Sequence, residues 1–341
     1  MNSLKNNYLG ISVCAAIAVP SFFLGKQFPL IGGPVIAIIA GMFIALFWTD
    51  KKSAAQGITW TSKFILQAAV VMLGFGMNLN VVLQTGKQSL PIIVVTISAA
   101  LIIAWVMKML LKMDSRTATL IGVGSSICGG SAIAATASVL DADADEVAQS
   151  ISVIFLFNVI AAIIFPIMGT LLGFDNFSGE SFGIFAGTAV NDTSSVTAAA
   201  ATWDSMWNLG HETLDKAVTV KLTRTLAIIP ITLVLAFIKT RSNKTKSKFS
   251  LKKSFPMFIF YFILASLFTT IAIYFGLKQE IFVPFKELSK FFIIMAMAAI
   301  GLNSNLVKLV KSGAKPILTG ACCWIGITVV SLAMQYIMGI W

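Results

Sequence analysis

The stretch from Gly122 to Leu140 reads GVGSSICGGSAIAATASVL and lies between two long apolar runs. It contains four glycines, four serines, one threonine and one cysteine. Glycine and serine weaken a continuous helix, because glycine raises the entropic cost of order and serine hydrogen-bonds its own backbone. If this segment lies at membrane depth, it predicts an interrupted helix.

The remainder of the chain has the composition of an integral membrane protein. Hydrophobic residues make up 57% and charged residues 11% of its 341 residues, and the mean hydropathy is +0.89. Apolar runs of about 20 residues can cross a hydrocarbon core of about 30 Å as helices, and they lack the alternation of a barrel. We therefore predict an all-α polytopic membrane protein. The clearest runs are Tyr8 to Gly25, Pro29 to Trp48, Phe64 to Leu83, Leu90 to Leu111, Ser150 to Gly173, Thr219 to Ile238, Phe255 to Leu277, Leu288 to Leu302 and Ile317 to Trp341.

Two further segments, near 117–140 and 181–203, are long enough to cross but contain many polar residues. The prediction is about 11 transmembrane segments, or about nine if both interrupted segments are re-entrant. The whole chain, 1–341, is expected to be a single transmembrane domain. Its longest polar stretch is a basic loop at about 239–254.

The net charge of +11 comes mostly from lysines and arginines in short loops. No basic patch with interleaved aromatics points to nucleic acid, so we interpret these residues as topology signals. On an alternating chain they share one face, which the positive-inside rule makes cytoplasmic. This predicts a multi-pass protein of the bacterial cell membrane, with its N-terminus inside and its C-terminus outside. The acidic loop Asp141 to Glu146 falls outside if both interrupted segments span and inside if both are re-entrant. The basic residues concerned are Lys51, Lys52, Lys63, Lys108, Lys112, Arg116, Lys239 to Lys253, Lys308, Lys311 and Lys315.

Internal similarity predicts an inverted-repeat transporter with two discontinuous helices. FGMNLNVVL, from Phe75, matches IGLNSNLVK, from Ile300, and the predicted topology places the two copies in opposite orientations. A weaker similarity links the two interrupted segments, from Ile127 and from Val190, in a different register. The asparagines of the first pair either line a cavity or cap broken helices; they are Asn78, Asn80, Asn303 and Asn305.

The first interrupted segment predicts a substrate site at the end of a half-helix. Irregular backbone at membrane depth is tolerated where it lines a watery cavity. A half-helix beginning near Gly130 would point its positive end at the break, which suits an anion. The alternative is close helix packing by small residues. The candidate ligands are Ser125, Ser126, Gly129, Gly130 and Ser131.

The second interrupted segment offers hydroxyls and a carboxylate. Asp192 is a candidate coupling-ion site for a proton or cation, because an aspartate at membrane depth should face a cavity or a cation. The alternative, which is compatible, is that it caps the half-helix that follows. Its neighbours are candidate substrate ligands: Asn191, Thr193, Ser194 and Ser195.

Two cations lie on one face of the next apolar run. Arg224 is predicted to coordinate the anion, because a helix from Thr225 to Ile238 is too short to leave it at the membrane edge. The alternatives for Arg224 are snorkelling to the outer interface and a structural pair with Asp192. Lys221 is a further candidate ligand, although snorkelling to the interface accounts for it well. Asn158 fits an interhelical hydrogen bond better than a ligand.

The blocks GVGSSICGGSAIAATA, NVIAAIIFP and GIFAGTAVNDTSSVTAAA together resemble the YeiH-like family of bacterial inner-membrane proteins, which is named for sulfate export. The resemblance covers essentially the whole chain and implies export of sulfate or a related small sulfonate. The paired interrupted helices are more distantly similar to transporters grouped with bile acid:sodium symporters. That similarity implies a rigid scaffold, a mobile core whose broken helices cross at the substrate site, and a homodimer.

Taken together, these features predict a secondary-active carrier, an exporter of a small inorganic or organic oxyanion such as sulfate or a sulfonate, working by alternating access in the lipid bilayer. Its co-ion would be a proton or sodium, and no cofactor or metal is expected. The first alternative is a passive anion channel. A membrane-embedded enzyme is a weaker alternative, because the single histidine, His211, is distant in sequence from the candidate nucleophiles Ser126, Cys128 and Ser131.

Overall fold

The computed structural model describes residues 2–28, 32–48, 50–75, 77–227, 230–231, 234–235, 257–303 and 313–341. Within these ranges the chain is almost entirely helical and contains no strand. The predicted basic loop at 239–254 and Asn305 lie outside the described residues.

The helices differ widely in length, and in two places a short π-helical or 3-10 segment adjoins an α-helix. Lys52–Trp60 continues through a π-helical turn, Thr61–Ile65, into Leu66–Gly74, and a short 3-10 helix, Gln279–Phe282, precedes the penultimate helix. The α-helices are α1 (Asn2–Gln27), α2 (Gly33–Phe47), α3 (Lys52–Trp60), α4 (Leu66–Gly74), α5 (Leu79–Leu111), α6 (Ser115–Ser126), α7 (Gly130–Leu140), α8 (Ala144–Leu171), α9 (Glu180–Ala189), α10 (Thr193–Trp207), α11 (Glu212–Thr225), α12 (Met257–Tyr274), α13 (Val283–Asn303) and α14 (Ala314–Ile337).

Several helical segments are long and apolar enough to cross a membrane, as the hydropathy predicts. Six reach this length among the described residues, and α2 is a shorter apolar helix. The protein is therefore a multi-pass helical membrane protein. The six segments are Asn7–Gln27, Ser53–Gly74, Leu79–Leu111, Asp145–Leu171, Met257–Tyr274 and Ala314–Ile337.

Three predicted helix boundaries are wrong, each because polar residues lie inside a helix. The predicted span from Phe64 to Leu83 is in fact Ser53–Gly74, so Lys63 lies in mid-helix and is no loop signal. The predicted turn before Leu90 is absent, because α5 is continuous over 33 residues. The predicted start at Thr219 is also wrong, since α11 begins at Glu212 and ends at Thr225.

The first interrupted segment is a helical hairpin formed by α6 and α7. The start of α6 lies beside the start of α8, where Arg116 and Glu146 form an ion pair at 3.8 Å. Further along, a Cβ on Gly124 would lie 3.1 Å from Ile154, so α6 and α8 run parallel. The intervening α7 must therefore return to the level at which α6 begins, and Ile133 of α7 accordingly packs against Gly124. We call this side of the bundle the α6 face.

The second interrupted segment, α9 and α10, is also a helical hairpin. Gly179, which immediately precedes α9, lies against Thr213 of α11, and Gly187 of α9 lies against Val220 of α11, so these two helices run parallel. Since α11 follows α10 directly, α10 returns to the level at which α9 begins.

The second hairpin enters from the side opposite to the first. Its arms are joined by the rings of Phe182 and Trp203, which stack with centroids 4.1 Å apart. At the same level Gly169, near the end of α8, packs against both rings. Since α8 has 28 residues and leads from the first hairpin to the second, it separates the α6 face from the opposite side, the α9 face.

Packing divides the described helices into two groups. The hairpin module contains α5 to α11 with α14, and the frame module contains α1 to α4 with α12 and α13. In the frame, Gly41 of α2 and Gly301 of α13 bring the two backbones together, because a Cβ on either would lie within about 2.5 Å of a carbonyl oxygen opposite. Across the modules, α10 packs against both α2 and α13.

The structure confirms that both polar segments are interrupted helices. The crossing of the two broken helices that the distant resemblance implies is wrong, because both fold back as hairpins. The inverted repeat remains a prediction. Asn78 caps α5 by accepting from the Asn80 N–H at 2.9 Å, and Asn303 is the last residue of α13.

Candidate functional site

The tips of the two hairpins meet about midway along α8. The breaks comprise residues 127–129 and 190–192. A Cβ on Gly129 would lie 3.3 Å from the Cβ of Asp192 and 3.5 Å from Ile154 of α8. With φ at +69°, Gly129 adopts a backbone conformation that favours glycine. The break therefore depends on glycine both for its turn and for the close approach of the second tip.

Two buried cations lie behind the tips. The Lys221 Nζ donates to the carbonyls of Ile127 at 2.7 Å and Val190 at 3.0 Å. It therefore joins one break to the other.

Arg224 makes a corresponding set of bonds one turn further along α11. Its Nε donates to Ser126 O at 2.7 Å and its Nη2 to Ser125 O at 2.7 Å, both at the end of α6. Its Nη1 donates to Thr188 O at 2.5 Å near the end of α9. Lys221 and Arg224 are both 0% exposed.

The chemistry of helix ends explains this arrangement. The last carbonyls of α6 and α9 have no intrahelical partners, and the macrodipole makes these C-termini partly negative. Cations held there satisfy the carbonyls and offset much of the cost of placing charge at membrane depth. Lys221 therefore does not snorkel, and the observed contacts of Arg224 are with backbone rather than with an open site. Direct anion coordination by either residue remains a prediction.

The opposite side of each tip presents a helix N-terminus. No side chain caps α7, whose first residue is Gly130. The side chain of Asp192 caps α10 by accepting from the Ser194 N–H at 3.2 Å, and it also accepts from the Ser194 hydroxyl. The predicted capping role of Asp192 is thus confirmed, and two partly positive helix ends begin side by side.

Both N-termini line one cavity of about 580 Å³. From the tips it extends toward the α6 face, since its walls include Thr59 in α3, Phe258 near the start of α12 and Ile151 near the start of α8. It lies between the modules, because α3, α4, α12 and α13 belong to the frame. Its polar lining consists of Thr59, Ser62, Lys63, Gln67, Gly130, Ser131, Asn158, Asp192, Thr193 and Ser194, and its apolar lining of Leu66, Val70, Ile151, Ile154, Phe155, Phe258 and Ile300.

Lys63 brings a positive charge to this cavity from the frame. It lies in the π-helical turn Thr61–Ile65, and its ammonium group is 5.6 Å from the centroid of the Phe64 ring. Such turns are rare and occur frequently at functional sites. Unlike the two cations behind the tips, Lys63 is exposed.

Asn158 lies on α8 at the level of the tips. Its side chain is 4% exposed and lines the cavity, and its Oδ1 has no hydrogen-bond partner among the described residues. A buried polar atom without a partner costs free energy, so this oxygen is available to a hydrogen-bond donor in the cavity. The predicted interhelical hydrogen bond does not account for this oxygen.

The structure divides the predicted site residues into three groups. The cavity wall brings together Gly130, Ser131, Asp192, Thr193 and Ser194. Behind or within the tips lie Ser125, Ser126, Gly129, Asn191, Ser195, Lys221 and Arg224. Of these, Asn191 is 1% exposed, and neither polar atom of its side chain has a hydrogen-bond partner among the described residues. Asn78 and Asn80 do not line this cavity, whereas Asn303 donates at 3.5 Å to Ser62, which does.

A second, smaller cavity of about 280 Å³ lies at the other end of α10, toward the α9 face. Polar contacts join the two modules beside it. Lys286 forms an ion pair with Asp215 at 2.5 Å, and His211 lies 3.1 Å from Glu287. Burial lowers the pKa of His211, which favours a neutral ring, so this second contact is a hydrogen bond near neutral pH. The lining residues include Lys26, Asp204, Ser205, Asn208, Glu287 and Lys290.

Comparison with known proteins shows to which family this chain is similar. A family model described as conserved hypothetical protein 698 matches residues 9–320. A UPF0324 membrane protein of Streptococcus mutans is 58% identical over 345 residues, covering 99% of this chain and 100% of that protein. A UPF0324 membrane protein of Fusobacterium nucleatum is 56% identical over 348 residues, with 99% and 100% covered.

Proposed function

This chain belongs to the family of UPF0324 membrane proteins, and we propose that it is a secondary-active carrier of a small oxyanion. The observation that carries the proposal is the convergence on one cavity of the uncapped N-terminus of α7, the start of α10 and the Lys63 ammonium group. Each N-terminus is equivalent to roughly half a positive charge. An anion at the tips would meet backbone N–H groups, the hydroxyls of Ser131 and Thr193, and the Lys63 ammonium.

In this proposal Lys221 and Arg224 position the site without touching the anion. By holding the C-terminal ends of α6 and α9, they fix the two tips relative to each other. Their charges also offset the negative ends of these helices. The uncapped N-terminus of α7 and the Lys63 ammonium group then supply the positive charge in the cavity, beside the Asp192 carboxylate that caps α10.

Alternating access is supported by the different environments at the two ends of α10. This helix has 15 residues, about 22 Å, and it contacts the frame between the two cavities. The larger cavity reaches the tips from the α6 face, and the Lys286–Asp215 ion pair joins the modules at the α9 face. Movement of the hairpin module against the frame would close the cavity at the α6 face and open a path to the tips from the α9 face.

The proposed topology has about nine crossings and two re-entrant hairpins of opposite orientation, as an inverted-repeat carrier requires. The positive-inside rule makes the α6 face cytoplasmic, with the N-terminus inside and the C-terminus outside. The acidic loop at 141–146 then lies inside. Sulfate and small sulfonates are the substrates to test first, Asp192 is the candidate site for a proton or sodium ion, and export is the proposed direction.

The test is counterflow in proteoliposomes loaded with an unlabelled anion and diluted into the labelled one. A carrier transiently accumulates label, whereas a passive channel only equilibrates it. We expect accumulation for sulfate or a sulfonate, and we expect Lys63→Met to reduce it strongly. Lys315→Met, an exposed lysine at the start of α14, is the matched control and should transport normally. Equilibration without accumulation would identify a channel, and the absence of flux for every anion would overturn the proposal.

A further inference from the structure

The lining of the cavity at the hairpin tips combines two chemically different sets of residues. The polar set comprises the residues of the tips together with Asn158, Ser62, Lys63 and Gln67. The apolar lining is formed by residues of α4, α8, α12 and α13, which are Leu66, Val70, Ile151, Ile154, Phe155, Phe258 and Ile300. A single ligand with a charged headgroup and an apolar group would therefore find partners for both in one site.

The volume of the cavity also fits an organic ligand better than an inorganic anion. A tetrahedral oxyanion is only a few times larger than a water molecule, which occupies about 30 Å³ of the liquid. The cavity measures about 580 Å³. This lies within the range of about 300–1,000 Å³ typical of sites for organic ligands, which are largely apolar with a few placed polar groups.

A bare inorganic anion would gain nothing from the apolar lining. Aliphatic and aromatic walls offer it no hydrogen bonds, and dehydrating a doubly charged ion against them is unfavourable. A ligand with an alkyl or aryl group would instead remove apolar surface from water on both sides of the contact.

We propose that the substrate is an amphipathic organic anion, with its anionic group at the hairpin tips and its apolar group against Phe155 and Ile300. This rests on the proposed function, and it names the class of substrate: a monovalent sulfonate or carboxylate with an apolar body of several carbons. The anionic group faces the uncapped N-terminus of α7 and the Lys63 ammonium group, beside Asp192 at the start of α10. The apolar body lies between α8 and the frame helices α12 and α13.

The inference is tested by binding a homologous series to the full chain in lipid nanodiscs, because detergents are themselves amphipathic. The probes are sodium sulfate and the methane-, propane- and hexanesulfonates, with 1-hexanol as the uncharged control. Binding is read from the rise in unfolding temperature with ligand concentration. We expect affinity to rise about fourfold for each methylene group, until the apolar lining is fully covered.

Two variants of α8 locate the apolar group. Phe155→Ala should flatten the dependence on chain length while leaving methanesulfonate binding nearly unchanged. Ile164→Ala, on an exposed part of the same helix, should retain the full dependence. Equal affinity for sulfate and all sulfonates would overturn this inference and leave the proposed carrier intact. Equal binding of hexanol and hexanesulfonate would also overturn it, since the anionic group would then contribute nothing. Absence of binding by every anion would overturn both proposals.

Discussion

The hairpin tips separate two kinds of cation at membrane depth. Lys221 and Arg224, on one side, are 0% exposed and donate to five backbone carbonyls at the ends of α6 and α9. Lys63, on the other side, is exposed in a cavity that two helix N-termini share. The comparison teaches that a charge within the membrane has to be judged by its partners. Cations on carbonyls hold the fold, and a cation facing a cavity is available to a ligand.

The largest effect is expected from removing a cation behind the tips. Arg224→Ala would leave three carbonyls without donors, each costing about 1–3 kcal/mol when buried. We expect loss of folded protein, measured by yield and by size-exclusion profile. Arg224→Lys keeps the charge but not the planar fork, so it should be intermediate. Normal stability of Arg224→Ala together with lost anion binding would place the guanidinium in the site and erase the distinction between the two kinds of cation.

The next effect concerns the contact between the tips. Gly129→Ala adds a Cβ at φ +69° and 3.3 Å from Asp192, which should lower stability by about 1–3 kcal/mol. Gly130→Ala is its matched control, because nothing lies within 4 Å of a Cβ there. We expect the thermal midpoint to fall only for the first variant. Equal midpoints would show that the tips do not depend on their close approach.

A functional effect without a structural one is expected at Lys63. Replacing it by Met should weaken anion affinity roughly tenfold or more, the value of one charged hydrogen bond. The thermal midpoint without anion should stay close to that of the wild type, because the side chain is exposed. Titration of both proteins with the best-binding anion checks this, and unchanged affinity would remove Lys63 from the site.

The smallest effect on stability is expected at Asp192. Asparagine caps helices about as well as aspartate, so Asp192→Asn should change the unfolding free energy by less than about 0.5 kcal/mol. If the carboxylate couples transport to a proton or sodium ion, the variant should still bind anion but lose the dependence of transport on that gradient. Retained dependence would leave Asp192 as a helix cap.

The sequence predicts the interrupted helices well because their signal is local. Glycine and serine density places the first break, and the Asn-Asp-Thr-Ser-Ser run places the start of α10 at Thr193. The sequence does not predict the role of Arg224, because its carbonyl partners are 36 to 99 residues away in the chain.

The sequence also does not predict that Lys63 and Asn158 line the cavity, for a related reason. A lysine between two apolar runs has the pattern of a loop, and nothing local indicates that α3 continues through a π-helical turn. One asparagine in an apolar helix has the same pattern whether it bonds to a neighbour or faces a cavity. In each case the deciding information is which helix lies opposite, and that is a property of the packed bundle.

The most direct test of the account asks whether a bound anion protects a cysteine at position 131, in the cavity wall at the first hairpin tip, from chemical labelling. Ser131→Cys is labelled with a membrane-impermeant maleimide in inside-out and right-side-out vesicles, with the wild type as the control for its four native cysteines. The account predicts labelling from the α6 face, suppressed by the anion that binds best. Labelling that no anion suppresses would contradict a binding site at the hairpin tips.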